Sequence, residues 1–356
     1  MLAILPYVKG VAMQRWFRSL LPFSLLLLAS LPQGAAAAAP AADYQLLSRL
    51  PLGGTGGWDY LSFDAQHRHL FVSRADRVLV IDVDTNRQIG TIADTAGVHG
   101  IAIAPELQRG FTSNGKHASV TVFDLGTLKI VATIAGTGEK PDAIVYDSAS
   151  HHVLTFNGKS GTVSVIDPAG NKVIATIALP GKPEFAVTDG AGHVYVNIED
   201  KSELVQLDSL HDKLLQTWPL APCESPSGLA IDTRHHRLFA VCDNRTMAVV
   251  DATDGHHVAD VAIGDGPDAV VFDAAQAMVY SSNGESGTIT AVHEDDPNHF
   301  TVTATIPTQA SARTLALDPK LHRLYLSAAR LGVAKQANGR ATIEPDSFSI
   351  LTVGRH

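Results

Sequence analysis

A strand–turn–strand phrase returns about every 42 residues along most of this chain, and a period of that length restricts the fold more than any other feature. It reads VLVIDVDTNRQIGTI at 78–92, TVFDLGTLKIVATI at 121–134 and TVSVIDPAGNKVIATI at 162–177. Each phrase alternates apolar and polar residues, turns after an Asp, and alternates again, which is the pattern of two antiparallel strands. The Asp that closes the first strand stands at Asp82, Asp124, Asp167, Asp208 and Asp251, and His293 takes the sixth position. A second strand pair precedes each phrase, as in GIAIAPELQRGFTSN (100–114), AIVYDSASHHVLTFN (143–157), LAIDTRHHRLFAVCDN (229–244) and AVVFDAAQAMVYSSN (269–283). Its turn begins at Asp64, Ala104, Asp147, Asp189, Asp232, Asp273 and Asp318.

Seven copies of a four-strand unit, with almost no helical periodicity, predict an all-β, seven-bladed β-propeller. Such a sheet cannot cover both of its faces alone, so repeats stack around an axis. The last unit supplies only three strands, at 312–317, 323–328 and 347–353. Residues 44–52, YQLLSRLPL, have the pattern of an outer strand and are expected to complete that blade, closing the ring without an open edge. Residues 43–356 are then one propeller domain.

Val-Tyr-Val-Asn at 194–197, with VSVID at 163–167 and KVIATI at 172–177, resembles the YVTN-repeat β-propellers. GGWDYLSFD (56–64), GVHGIAIAPELQRGFTSNG (97–115), KPEFAVTDG (182–190) and NIEDKSE (197–203) make the chain similar to their secreted, YncE-like branch over residues 44–353. The resemblance implies a propeller and export. It implies no particular reaction, because a fold does not fix a function.

The first residues read as an address. Arg15 and Arg18 precede the apolar run Leu20–Leu31, and a small-residue tract follows from Ala35 to Ala39. A twelve-residue run is short of the roughly 20 residues that span a bilayer, so 1–42 is expected to be a cleaved secretory signal peptide, with cleavage between Ala36 and Ala42 and Met13 as an alternative start. An uncleaved anchor is the competing reading. Lys9, Arg15 and Arg18 are the only charges in that segment, so the formal charge of −9 becomes −12 after cleavage. An acidic, secreted or periplasmic monomer without a transmembrane segment is expected. With 27 Lys and Arg against 36 Asp and Glu, nucleic acid is disfavoured as a partner.

In a propeller the residues just before each innermost strand converge on one funnel. Here they are Asp59, His99, Asp142, Glu184, Ser227, Asp268 and Arg313. Four carboxylates and an imidazole around a common space repel unless a cation or proton neutralises them. A divalent metal ion held among Asp59, His99, Asp142, Glu184 and Asp268 is one solution, with Arg313 orienting an anionic substrate. The other is that these acids accept backbone N–H groups at turns, which the Pro-Asp and Pro-Glu pairs at 141–142, 183–184 and 267–268 suit. Asn114, Asn157 and Asn283 end second strands on the same side and are candidate amide donors to a ligand. Each precedes a Gly, so a tight-turn role competes. His67, His69, His151, His152, His193, His235, His236 and His322 fall in first turns on the opposite face, as solvated turn residues.

Cys223, ahead of the fifth innermost strand, and Cys242, at the end of the next strand, are expected on one face, as a disulfide or as two thiols for a soft metal. The longest insertion, 331–345, joins strands of the last repeat and is expected to overhang the funnel. No Gly-rich phosphate loop, C-x-x-C-H haem attachment or G-x-S-x-G elbow occurs. The expected function is therefore binding of a small molecule or an envelope protein through the funnel, without catalysis. The alternative is a metal-dependent, lactonase-like hydrolase. A third reading, an accessory to a redox enzyme, is implied only by the family resemblance. No cofactor is expected other than the divalent ion.

Overall fold

The middle strands of each repeat are apolar on both faces, and this decides how the repeats assemble. In the first repeat His69–Arg74 and Arg77–Asp82 are buried almost throughout, whereas the fourth strand, Arg87–Ile92, is largely exposed. Neighbouring sheets must therefore cover both faces. The computed structural model describes residues 44–335 and 341–355, and in it seven four-stranded antiparallel sheets stand around an axis. The expected leader, 1–42, lies outside the described residues. Among those residues no helix is long and apolar enough to cross a membrane.

The innermost strands of blades 1 to 7 are Trp58–Asp64, Val98–Ala104, Pro141–Asp147, Pro183–Thr188, Pro226–Asp232, Pro267–Asp273 and Leu315–Asp318. Each packs against the innermost strands of the blades on either side. Blade 7 takes its outermost strand from the other end of the domain, where Tyr44–Pro51 pairs antiparallel with Ser349–Arg355. The ring closes as the repeat pattern predicts. The first strand of that blade starts later than expected, at Leu315, and the side chains of Arg313 and Thr314 just ahead of it bond to blade 1. Arg313 Nη2 donates to the Trp58 carbonyl (2.8 Å) and Thr314 Oγ1 to that of Asp59 (2.7 Å).

An apolar cluster fills each joint. Phe71, Val78 and Val80 of blade 1 meet Val98, Ile101, Phe123 and Leu125 of blade 2, and Phe239 and Val249 of blade 5 meet Val270, Val279 and Val292 of blade 6. Complete burial of side chains such as Phe71 and Phe123 stabilises by roughly 1.5–3 kcal/mol each.

The periodic aspartates are turn devices. Asp82 accepts the backbone N–H groups of Asp84 and Thr85 at 3.0 and 2.8 Å, and Asp124 accepts that of Thr127 at 2.7 Å. Asp64 and Asp318 do the same at first turns. A carboxylate reaching two or three residues ahead fixes the turn, so the residue recurs with the repeat. Several first-turn histidines are paired rather than simply solvated: His67 lies 2.7 Å from Asp64, and His322 lies 2.7 Å from Asp273 of the preceding blade.

Candidate functional site

A backbone irregularity builds the funnel. In blade 1 Trp58 pairs with Arg74 and Leu61 with Val72, leaving Asp59 and Tyr60 opposite the single residue Ser73. The same one-residue slip falls at Val98/Ile101, Pro141/Ile144, Pro183/Ala186, Pro226/Leu229 and Pro267/Ala269. A β-bulge bends its strand and re-aims side chains out of the pleat. Here it sets Asp59, His99, Asp142, Glu184 and Asp268 at the mouth of the channel. Second-strand side chains pin these bulges across the joints. Ser113 Oγ donates to the Asp142 carbonyl, Asn197 Nδ2 to that of Ser227 (2.9 Å) and Ser282 Oγ to that of Arg313. Ser227 spends its own hydroxyl on the Pro267 carbonyl at 2.9 Å.

The ring charges pair with one another. His99 Nδ1 is 2.6 Å from Asp59 Oδ2 and 3.4 Å from Asp142 Oδ1. Lys140 Nζ is 3.4 Å from the other Asp142 oxygen. Lys182 Nζ lies 3.0 Å from Glu184 and also bonds Glu199. Arg313 bonds Asp268 and lies 3.6 Å from Asp59. Acid and base thus alternate around the mouth. Lys140, Lys182, Arg313 and His99 offset part of the repulsion expected of four carboxylates. Lys-Pro-Asp at 140–142 and Lys-Pro-Glu at 182–184 carried this signal in the sequence, each placing a lysine two residues ahead of its ring acid.

Burial opposes charge at every one of these groups, and the neighbours decide the outcome. Asp59 is held below the usual carboxylate range because the His99 hydrogen bond and the Arg313 charge outweigh its desolvation. His99 is raised, since Asp59 and Asp142 overcome the burial that disfavours its cation. Asp142 and Asp268 are both raised by burial and by nearby carboxylates, despite His99 and Arg313 respectively. Glu184 is pushed to about 8 by burial and by Asp142, against the pull of Lys182. The cluster titrates as a group.

Tyr60, unmarked in the sequence reading, stands at the centre of this ring. Burial, then the charges of Glu184, Asp142, Asp59 and Asp268, push its phenol well above the ordinary range, so it stays protonated. Its ring meets Phe185 of blade 4 with centroids 4.9 Å apart. These two blades lie across the axis, so the aromatic pair forms a floor below the carboxylates.

Three predicted amide donors lie elsewhere. Asn114, Asn157 and Asn283 are at most 1% exposed. Asn114 Nδ2 donates to Thr121 (2.9 Å) while Thr112 donates to its Oδ1 (2.9 Å). Asn157 bonds Ser164 and Thr155 in the same way, and Asn283 bonds Thr290 and Ser281. These amides are spent inside their blades. The glycine after two of them lets a ring residue approach: a Cβ on Gly115 would sit 3.0 Å from the His99 ring, and one on Gly284 only 2.5 Å from Arg313 Cβ.

A cavity of about 790 Å3 opens beside Arg313 and Asp268, walled by Trp58, Pro267 and Ser311. The 331–345 insertion contributes a hairpin, Leu331–Lys335 with Ala341–Ile343, and Leu331, Lys335 and Ile343 line the cavity. Cys223 and Cys242 form the expected disulfide, with Cα atoms 5.5 Å apart, and Asp243 beside it reaches the cavity wall.

The described propeller has counterparts of low identity among solved structures. A chain titled Kuenenia stuttgartiensis hydrazine synthase is 13% identical with a TM-score of 0.68, covering 88% of this chain and 98% of its own. U3-55K is 11% identical with a TM-score of 0.72, covering 87% and 98%. The WD40 repeats of RRP9 are 11% identical with a TM-score of 0.73, covering 88% and 98%. No family model matches the sequence, and no curated protein matches it significantly. At these identities the similarity shows the fold: the chain is a seven-bladed β-propeller of the architecture found in WD40 repeat proteins.

Proposed function

We propose that this propeller is a binding protein whose funnel takes a small polar ligand carrying both positive and negative groups, with no reaction of its own. The observation that carries this is the alternation of acid and base around a mouth floored by Tyr60 and Phe185. A site of that kind offers Arg313 and Lys182 to an anionic group and the carboxyls around Asp59 and Asp268 to a cationic one. The adjoining cavity of about 790 Å3 is in the range of small-molecule sites. Export, and membership of the YVTN-type, YncE-like branch, belong to the same reading and rest on the sequence phrases at 56–64, 97–115 and 182–203. The disulfide suits an oxidising compartment.

The test is calorimetric titration with free amino acids and dipeptides as zwitterionic probes, on wild type and on Arg313→Gln and Asp268→Asn. Saturable binding that both variants weaken at least tenfold is expected. Equal binding by all three proteins, or none by wild type, overturns the reading.

One observation favours a second reading. Donor atoms of Asp59, His99 and Asp142 lie within 4.8 Å of one another, a spacing that fits a divalent ion. A metal there lowers the pKa of bound water and makes a hydrolase, lactonase-like in type, reasonable. Elemental analysis of protein purified without chelator, beside a His99→Ala, Asp142→Ala double variant, separates the two readings. About one metal more per wild-type chain than per variant chain supports the hydrolase.

A further inference from the structure

The far end of the innermost strands holds a second charged cluster, at the joint between blades 5 and 6. Asp232 ends the blade-5 innermost strand, five residues and about 17 Å of strand from the funnel position Ser227. His235 follows in the turn, with Nδ1 2.7 Å from Asp232 Oδ2 and 3.2 Å from Glu294 Oε1 of blade 6. Donor atoms of all three lie within 4.8 Å of one another. Glu294 is only 3% exposed, and its Oε2 is buried without a hydrogen-bond partner.

Comparison with the other joints shows what is unusual. At the end of its innermost strand Asp147 receives the Ser209 hydroxyl of the next blade at 2.8 Å. Asp273 receives His322, and Asp318 receives Arg68, each at 2.7 Å from the next blade. Blade 1 carries the same Asp–His pair as blade 5, in Asp64 and His67. The residue facing that pair, one past the turn position Asp124, is the fully buried Leu125. Glu294 holds that position in blade 6, with its N–H on the Ala277 carbonyl as Leu125 has its own on Gln108. Joint 5–6 thus sets a buried carboxylate where other joints set a donor or a hydrocarbon.

We propose that Asp232, His235 and Glu294 form a divalent-cation site of the zinc class that ties blade 5 to blade 6. Two carboxylate oxygens and one imidazole nitrogen are a donor set that zinc accepts, with a fourth position left for water. A cation supplies the positive charge that Arg68 supplies at its own joint. Tetrahedral bonds of about 2 Å need donors about 3.3 Å apart, so the His235–Asp232 contact opens by a few tenths of an ångström on binding. The site shares no residue with the funnel.

Zinc titration with an isothermal calorimeter tests this in the His99→Ala, Asp142→Ala background, which removes the funnel donors. Glu294→Ser gives blade 6 the residue of blade 4, and Glu294→Leu the residue of blade 2, so both keep a side chain that the fold already accepts there. One zinc per chain is expected in the background protein, weakened at least about 100-fold by either Glu294 change and by His235→Ala. Zinc should raise the melting temperature of the background protein and leave that of the Glu294 variants unchanged. Absence of zinc binding in the background protein, or equal binding by the Glu294 variants, overturns the proposal.

Discussion

Tyr60 of blade 1 and Phe185 of blade 4 meet across the propeller axis, with ring centroids 4.9 Å apart at an interplanar angle of 59°. Each is the second residue of a bulge, at a position where blades 2, 3 and 5 carry Gly100, Ala143 and Gly228. Neighbouring backbone excludes anything larger at Gly228, where a Cβ would lie 2.7 Å from Ala269 Cα. Two aromatic residues among small ones therefore floor the funnel and give four carboxylates a common phenol.

Removing that floor should be costly. Tyr60→Ala is expected to destabilise by about 3–5 kcal/mol, and Tyr60→Phe, which keeps the ring, by less than about 1.5 kcal/mol. Urea unfolding of the three proteins measures this. An alanine variant within about 0.5 kcal/mol of wild type would mean that the aromatic pair carries no packing load.

Glu184 sets a pH dependence with a definite sign. Its folded carboxyl keeps a proton up to about 8, against an ordinary value of 4.5. The folded state binds more protons between these values, so this group favours folding below 4.5 and that contribution is lost as pH rises through about 8. Glu184→Gln removes the effect and leaves Lys182 paired with Glu199. The variant should gain on wild type by an amount on the order of 1–3 kcal/mol between pH 5 and pH 9, read from denaturation at several pH values. A constant difference across that range contradicts the assignment.

Gly284→Ala tests how the ring is positioned. The added Cβ would stand 2.5 Å from Arg313 Cβ and 3.0 Å from its Cα, so Arg313 must move off Asp268 and Asp59. Overpacking of this kind costs about 1–3 kcal/mol. Gly126→Ala, where the nearest atom is the Asp124 carboxylate oxygen at 3.6 Å, is the control, and its melting temperature should stay near that of wild type. Equal melting temperatures for both variants would show that the approach at Gly284 is not tight.

The disulfide closes a sequence separation of 19 residues and holds the loop ahead of the blade-5 innermost strand. A Cys223→Ser, Cys242→Ser double variant should lose roughly 3 kcal/mol of stability. Reductant should lower the stability of wild type by a similar amount and leave the double variant unchanged. Reductant sensitivity in the double variant would point to an origin other than this bond.

The period of about 42 residues sufficed for seven four-stranded blades and for closure by Tyr44–Pro51, because turn aspartates and apolar alternation are local properties that each repeat carries in full. The same local logic brought Cys223 and Cys242 to one face. It also named the ring positions Asp59, His99, Asp142, Glu184, Asp268 and Arg313. Their pairing across the joints was not legible, because those partners arrive from blades 40 or more residues away, as His99 does for Asp59 and Arg313 for Asp268. The one-residue bulges that aim them, the Tyr60–Phe185 floor, and the inward turn of Asn114, Asn157 and Asn283 likewise depend on which residue faces which across a joint. Repetition determines the architecture, since every unit solves the same burial problem. Only the tertiary structure decides the site, since its charges are settled by neighbours that the repeat does not repeat.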